Sequence, residues 1–139
     1  MKMIFKPQTE WTPPTDFPDL GKYDEIAIDL ETKDPNLNER MGSGSVVGVG
    51  DVVGISLATH DWCAYYPIAH EGGGNMDRKM VLDWFQDQMR SDSTKIFHNA
   101  MYDVCWLRSL GIHVHGMIVD TMIAASLIDE NRYRYDLNG

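Results

Sequence analysis

Cysteines, basic residues and long apolar runs are all scarce in this sequence. The two cysteines, Cys63 and Cys105, lie far apart without CxxC spacing or a neighbouring group of histidines, so neither a zinc site nor a disulfide framework is indicated. Lysine and arginine number 12 against 21 acidic residues, a net charge of -9. This argues against a broad duplex-DNA footprint, because such surfaces are basic, but it is compatible with a small metal-filled acidic site that grips a single strand.

No segment has the apolar length of a membrane helix, and residues 1–11 lack the apolar run of a signal peptide. We therefore expect a soluble, cytoplasmic protein with no membrane partner. The apolar content of 43% over 139 residues suits a single domain with one core.

The chain divides into a proline-rich start and one domain. Residues 1–23 contain four of the six prolines and little periodicity, which predicts an extended arm wrapped on the surface without chemistry of its own. Residues 24–139 are expected to form the domain. Within it, residues 33–51 are rich in glycine and predict a long loop, for which disorder is the default interpretation.

Two acidic side chains share one face of the first predicted strand. In Glu25–Glu31 the apolar residues alternate with polar ones, so Asp29 and Glu31 point the same way, roughly 7 Å apart along the chain. Like charges held this close are tolerable when a cation lies between them. Considered alone, the strand is better explained as an edge strand with a solvated acidic face.

The next segments predict a hairpin and a helix. Val52–Thr59 and Trp62–Tyr66 are rich in β-branched and aromatic residues, with a tight turn between them, which predicts an antiparallel meander with the first strand. Asn75 or Asp77 then begins a helix. The apolar positions of this helix are Met80, Val81, Trp84, Phe85 and Met89.

A buried parallel strand and two further helices are predicted after that. Lys95–Phe97 is short and apolar, and Asn99 follows it as the N-cap of a helix from Ala100 to about Leu110. Asp120 is expected to cap another helix through Leu127, and residues 132–139 resemble the start of an element that is not completed.

A third carboxylate, Asp103, faces the core. It lies in line with Leu107 and Leu110 at i, i+4 and i+7 of the Ala100–Leu110 helix. A buried carboxylate requires a cation or a metal, and Arg108 lies on a different side of the helix. Asp29, Glu31 and Asp103 together supply the hard oxygen ligands that suit Mg²⁺ or Mn²⁺.

Two segments resemble the motifs of a known family. Ile28-Asp29-Leu30-Glu31-Thr32 resembles the first motif, and residues 98–103 (His-Asn-Ala-Met-Tyr-Asp) resemble the second motif, of the 3'-5' exonuclease domains of the DEDD superfamily. The match is best with the proofreading domain of family A DNA polymerases, the bacterial polymerase I type, and their phage relatives. It extends from about Asp24 to Leu137. The resemblance implies a ribonuclease H-like α/β fold, in which a mixed sheet has three antiparallel strands followed by parallel ones, flanked by helices and incomplete at the C-terminus.

The resemblance also implies a reaction, the release of nucleotides from a single-stranded DNA 3' end by two Mg²⁺ or Mn²⁺ ions. Asp29 would bridge the two ions, Glu31 would hold the ion that carries the attacking water, and Asp103 would hold the ion on the leaving-oxygen side. The remaining motif positions, Leu30, Thr32 and Asn99, would bind the terminal nucleotide. Leu30 faces the core in a regular strand, and capping alone would explain Asn99.

The family's third motif, a Tyr or His four residues before an Asp, has no match. The aspartates after Asp103 are Asp120, Asp129 and Asp136, and the positions four before them hold Gly116, Ala125 and Arg132. We therefore expect these 139 residues to hydrolyse DNA slowly or not at all unless a polymerase domain or a second chain completes the site. The alternatives are a non-catalytic module that binds nucleic acid or a partner protein, and a fragment whose exposed face pairs with another subunit.

Overall fold

A five-stranded mixed sheet forms the centre of the molecule. The computed structural model describes residues 12–34 and 50–123. The sheet has the order β3-β2-β1-β4-β5. Its strands are β1 (Glu25–Lys33), β2 (Asp51–Ala58), β3 (Cys63–Pro67), β4 (Thr94–Phe97) and β5 (Ile118–Asp120).

Strands β1 to β3 form the predicted antiparallel meander. Their core face consists of alternating apolar residues, and one row across the three strands joins Leu30, Ile55 and Tyr66, all of them buried. The turn between β2 and β3 is closed by a bond from the Thr59 N–H to the Trp62 carbonyl, 2.7 Å long. The register between β1 and β2 shifts between Glu31 and Thr32, where β2 has one extra residue, Val53, and so forms a β-bulge.

Strands β4 and β5 add to the sheet in parallel, so the order of three antiparallel strands and then parallel ones is confirmed. Strand β5 has only three residues, too few for a periodic pattern to reveal it in the sequence. Asp120, its last residue, was predicted to begin a helix. Residues 121–123 are helical, and the remainder of that predicted helix lies outside the described residues.

Helix α1 (Arg78–Met89) begins where predicted, since the Asp77 carboxylate accepts a hydrogen bond from the Met80 N–H at 3.1 Å. Val81, Phe85 and Met89 are fully buried on its core side. The prediction that Met80 shares that side is wrong, because this side chain is 56% exposed. Met80 comes one residue before Val81 and therefore lies about 100° from it around the helix.

The segment that precedes β1 packs against the domain. A one-turn 3₁₀ helix, Leu20–Lys22, buries Leu20 completely, and the ring of Phe17 stacks on Tyr66 with centroids 5.7 Å apart. The Trp84 indole N–H donates to the Pro18 carbonyl at 2.9 Å. The described part of the proline-rich segment therefore contributes to the core.

Lys95 of β4 is fully buried although it is charged. Its ammonium donates to the carbonyl of Ser91 and, at 2.7 Å, to the carbonyl of His115. Burial lowers the pKa of this amine, and the charge of Asp92 opposes that effect in part. Carbonyl oxygens therefore take the place of water around the charged group.

Helix α2 (Ala100–Ser109) follows β4 and completes the described elements. Most of the glycine-rich loop and the predicted element at residues 132–139 lie outside the described residues. Within residues 12–34 and 50–123, no helix combines the length and the apolar character needed to cross a membrane.

Candidate active site

Asp29 and Glu31 lie on the face of β1 opposite the core, as the alternation predicts. Both are exposed, whereas Ile28, just before Asp29, and Leu30, between the two acids, are buried. Across the sheet Asp29 pairs with Ser56 and Glu31 pairs with Gly54, so both carboxylates stand above small residues. Small residues at these two positions leave room for other groups to approach the carboxylates.

Asp103 of α2 is buried against this part of β1, as its helical spacing predicts. Only 3% of the residue is exposed. Burial first, and then the negative charge of Asp29, raises the pKa of Asp103 from its ordinary 3.8 to about 7, although a hydrogen bond from the Leu30 backbone acts in the opposite direction. Arg108 is exposed, and no ion pair among the described residues includes Asp103.

The short length of β4 brings Asp103 and Asp29 together. Strand β4 pairs with β1 only as far as Ala27, and β1 continues for six more residues beyond that point. Helix α2 begins three residues after β4 ends, so its first turn lies beside the part of β1 that β4 leaves unpaired. The Leu30 backbone can therefore reach the Asp103 carboxylate.

The start of α2 is capped by Asp120 and not by Asn99, which corrects the sequence prediction. Asn99 has φ 70° and makes no side-chain cap bond. Instead, the two oxygens of the Asp120 carboxylate accept the N–H groups of Asn99 and Ala100, both at 2.9 Å. Burial alone would raise the pKa of Asp120, but these hydrogen bonds outweigh it and lower the pKa. The capping explanation for Asn99 is thereby removed.

Glu31 is held by side chains from β3 and the loop that follows it. The Tyr65 hydroxyl donates to Glu31 Oε2 at 2.6 Å, and the same hydroxyl lies 2.5 Å from His70 Nε2. Burial, followed by the bond to Glu31, raises the pKa of Tyr65, so its hydroxyl keeps the proton that it donates. Sequence reasoning missed both residues. The available signal was Gly54, because a glycine inside a strand often marks the close approach of another group.

The three expected nucleotide-binding residues occupy different environments. Leu30 is only 7% exposed and belongs to the core. Thr32 lies beyond the bulge, where its hydroxyl is 2.8 Å from the hydroxyl of Tyr102. Asn99 is partly exposed at the start of α2.

The donor atoms suit a hard divalent cation, although the carboxylates do not enclose a site as they stand. Among residues 12–34 and 50–123, no three His, Cys, Asp or Glu side chains are grouped closely enough to hold a metal. Asp103 Oδ2, however, is buried without a hydrogen-bond partner in the described part of the chain. An unsatisfied buried carboxylate oxygen beside a second carboxylate is the arrangement that Mg²⁺ or Mn²⁺ would satisfy, so the residues fit the ions.

An open groove of about 730 Å³ runs along the acidic face. Asp29, Ser56 and Tyr65 contribute polar side chains to its wall, and Ala27, Ala58 and Ala64 contribute small apolar ones. A groove with this lining leaves room for an extended ligand next to Asp29.

The chain resembles phage and bacterial DNA polymerases. It is 32% identical over 136 residues to a DNA-directed DNA polymerase of Pseudomonas phage M6, which covers 93% of this chain and 20% of the polymerase. It is 29% identical to DNA polymerase DpoZ of Acinetobacter phage SH-Ab 15497, over 88% of this chain and 17% of that protein. DNA polymerase I of Chloroflexus aurantiacus is 33% identical over 89 residues, which is 63% of this chain and 9% of the polymerase. The chain thus spans a fifth or less of the length of these relatives.

A solved structure with the same fold and a protein-family model agree with this resemblance to DNA polymerases. Brucella melitensis NrnC superposes with a TM-score of 0.50 at 21% identity, over 78% of this chain and 46% of that chain, which shows a shared fold. The model of the 3'-5' exonuclease family matches residues 16–138, a range that includes every candidate site residue. The fold is therefore the ribonuclease H-like α/β arrangement, and the chain belongs to the 3'-5' exonuclease domain family of DNA polymerases.

Proposed function

We propose that this chain is the proofreading part of a DNA polymerase and removes nucleotides from a single-stranded DNA 3' end. The observation that carries the proposal is the buried Asp103 carboxylate, which has an unsatisfied oxygen beside Asp29. Such a carboxylate costs folding free energy and is explained by a cation that it is built to bind. The phage and bacterial relatives suggest the cytoplasm of a bacterial cell as the location.

Asp29, Glu31 and Asp103 would hold two Mg²⁺ or Mn²⁺ ions. When bound, such ions lower the pKa of a water molecule and neutralise the charge that builds up on the phosphate. The protein's own part is to fix the three carboxylates, with Asp29 and Asp103 set by β1 and α2. Hydrolysis joins the water oxygen to phosphorus and breaks the bond to the 3' oxygen, which releases a nucleoside 5'-monophosphate.

Thr32 and Asn99 are proposed to contact the terminal nucleotide from the two ends of the site, and Leu30 to act as an apolar wedge. The support for Asn99 is that its side chain is not used as a helix cap. Its backbone is left-handed, and the Asp120 carboxylate accepts the N–H groups at the start of α2, so the Asn99 side-chain amide is not needed for capping. Leu30 would have to leave the core to contact a base, since it is buried in this structure.

The chain is proposed to act slowly by itself. None of the aspartates after Asp103 has a Tyr or His four positions before it, so the water lacks that orienting pair within these residues. A polymerase domain or a second chain would supply it. The same observation favours a second candidate, a module that binds a DNA 3' end without cleaving it.

The test is a single-turnover assay with a 5'-labelled single-stranded oligonucleotide and excess protein. We expect slow, Mn²⁺-dependent shortening from the 3' end that disappears in Asp29→Ala and Asp103→Ala. Asp24→Asn is the matched control, because Asp24 is an exposed carboxylate just before β1, at the end remote from Glu31. Cleavage that persists in EDTA or in Asp29→Ala would contradict the proposal, and binding by fluorescence anisotropy without shortening would establish the second candidate.

A further inference from the structure

The acidic face contains a hydrogen-bonded row of three side chains, of which the candidate mechanism uses only Glu31. Tyr65 lies 2.6 Å from Glu31 Oε2 and 2.5 Å from His70 Nε2, and His70 Nε2 is 3.8 Å from the same Glu31 oxygen. Tyr65 thus stands between the carboxylate and the imidazole. We call these three residues, Glu31, Tyr65 and His70, the glutamate brace.

The single hydroxyl proton of Tyr65 determines which group donates in each hydrogen bond of the brace. A phenol has one hydrogen to donate, and in the brace that hydrogen goes to Glu31. The contact between Tyr65 and His70 must therefore be a hydrogen bond donated by His70 Nε2–H to the phenol oxygen. Both bonds then point toward Glu31, which is the polarity that suits a carboxylate carrying its negative charge.

The surrounding backbone is arranged to hold the brace. The Asn75 amide fixes the backbone of His70 from both sides, accepting its N–H at 2.8 Å and donating to its carbonyl at 2.9 Å. Under Tyr65, a Cβ on Gly54 would lie 1.8 Å from the phenol oxygen. Only glycine at position 54 lets the Tyr65 ring lie across β2 and reach Glu31.

We propose that Tyr65, oriented by His70, is a positioning residue that fixes the Glu31 carboxylate for a divalent cation. The inference rests on the proposed function, in which Glu31 is a metal ligand. A carboxylate has two oxygens, and the bond from Tyr65 engages Oε2, so Oε1 is the oxygen offered to the cation. Groups that orient a metal ligand in this way commonly change metal affinity by about 10-fold to 100-fold when they are removed.

One experiment examines the brace without metal. In the full 139-residue chain at pH 8, the ¹⁵N shifts of the His70 ring should show the proton on Nε2. The opposite tautomer, with Nε2 unprotonated, would overturn the proposal, because Tyr65 would then donate to His70 and could not donate to Glu31.

A second experiment measures Mn²⁺ affinity by electron paramagnetic resonance. Tyr65→Phe should weaken Mn²⁺ binding about 10-fold with an unchanged circular dichroism spectrum. His70→Gln, which keeps a donor, should stay within about 2-fold of the wild-type affinity, whereas His70→Leu should resemble Tyr65→Phe. Tyr66→Phe is the matched control, because its hydroxyl bonds the Asp16 carbonyl on the core face of the sheet.

Failure of the brace and failure of the proposed function give different results. Wild-type affinity in Tyr65→Phe, together with lost affinity in Asp29→Ala, overturns the brace alone. If the wild-type chain does not bind Mn²⁺, or if Asp29→Ala binds it equally well, the proposed metal site fails and the brace's assigned role fails with it.

Gly54→Ala provides a variant that leaves all three brace residues in place. The added methyl group would displace the Tyr65 ring, so Mn²⁺ binding should weaken as in Tyr65→Phe. Gly72→Ala is its control, since a Cβ there meets nothing within 4 Å. Equal affinity in both glycine variants would contradict the arrangement.

Discussion

At the scale of single residues, the ionised Asp103 carboxylate occupies a position that costs stability. Its carboxylate is buried beside a second negative charge, and one of its oxygens has no hydrogen-bond partner among the described residues. Without a cation this arrangement favours the protonated form of the Asp103 carboxyl, and its pKa is accordingly raised to about 7. Folding favours the protonated side chain, whereas the metal binding that we propose requires the ionised one.

This conflict predicts a pH dependence of stability. Below pH 3.8 the Asp103 carboxyl is protonated in both the folded and the unfolded protein. Between pH 3.8 and about 7 the folded protein holds one proton more than the unfolded protein, so its stability falls as the pH rises. The stabilising contribution of the protonated carboxyl is lost once the pH has risen through about 7. The full effect is at most about 4 kcal/mol. Urea denaturation in EDTA should therefore show that Asp103→Asn increases the free energy of unfolding at pH 8 by about 1 to 3 kcal/mol relative to its effect at pH 5.

The exposed carboxylate of Asp24 supplies the comparison for this measurement. Asp24→Asn should change the free energy of unfolding equally at both pH values, within about 0.5 kcal/mol. An Asp103→Asn variant that is destabilised at pH 8 as much as at pH 5 would show that the carboxylate is compensated in the metal-free protein.

Some of the candidate site residues could be predicted from the sequence and others could not. Asp29, Glu31 and Asp103 could be found because each orientation follows from local periodicity, two residues per repeat in a strand and 3.6 in a helix. Tyr65 and His70 could not, because their roles depend on which residue lies across the neighbouring strand. That pairing is set by register, which the turn and the core fix together.

At the scale of elements, the junction between β4 and α2 determines the site. Strand β4 stops early, Asn99 turns with φ 70°, and α2 starts beside the unpaired part of β1. The sequence predicted the strand and the helix but assigned the cap to Asn99. The actual cap comes from Asp120, 20 residues after Ala100, and a contact over that separation leaves no local pattern.

Asp120→Ala should therefore destabilise the fold more than the loss of an ordinary cap. It removes acceptors from Asn99, Ala100 and Met122 at once. We expect a loss in the free energy of unfolding, measured with urea, that is larger than the loss of a single cap bond. Asp77→Ala, which removes one cap bond from α1, should cost about 1 kcal/mol. Equal losses in the two variants would contradict the role given to Asp120.

At the scale of the whole molecule, the succession of three antiparallel strands and then parallel ones could be predicted from the meander, the parallel strand Lys95–Phe97 and the family resemblance together. Strand β5 and the packing of Phe17 and Leu20 could not. Both depend on surfaces that exist only once the sheet has formed, against which a three-residue strand and a proline-rich segment can pack. The domain thus includes chain that composition assigned to a peripheral arm.

The buried Lys95 of β4 can be used to measure how often the sheet opens, because its amine can react only when it becomes exposed. Amine-reactive reagents reach Lys22, Lys33 and Lys79 directly because these residues are exposed, whereas Lys95 is enclosed. Mass spectrometry of briefly labelled native protein should find Lys22, Lys33 and Lys79 modified before Lys95. Lys95 should react only at the rate at which the sheet opens, and its labelling should accelerate in urea in parallel with loss of the circular dichroism signal. Early modification of Lys95 in the native protein would show that the sheet opens locally at β4, close to the candidate site.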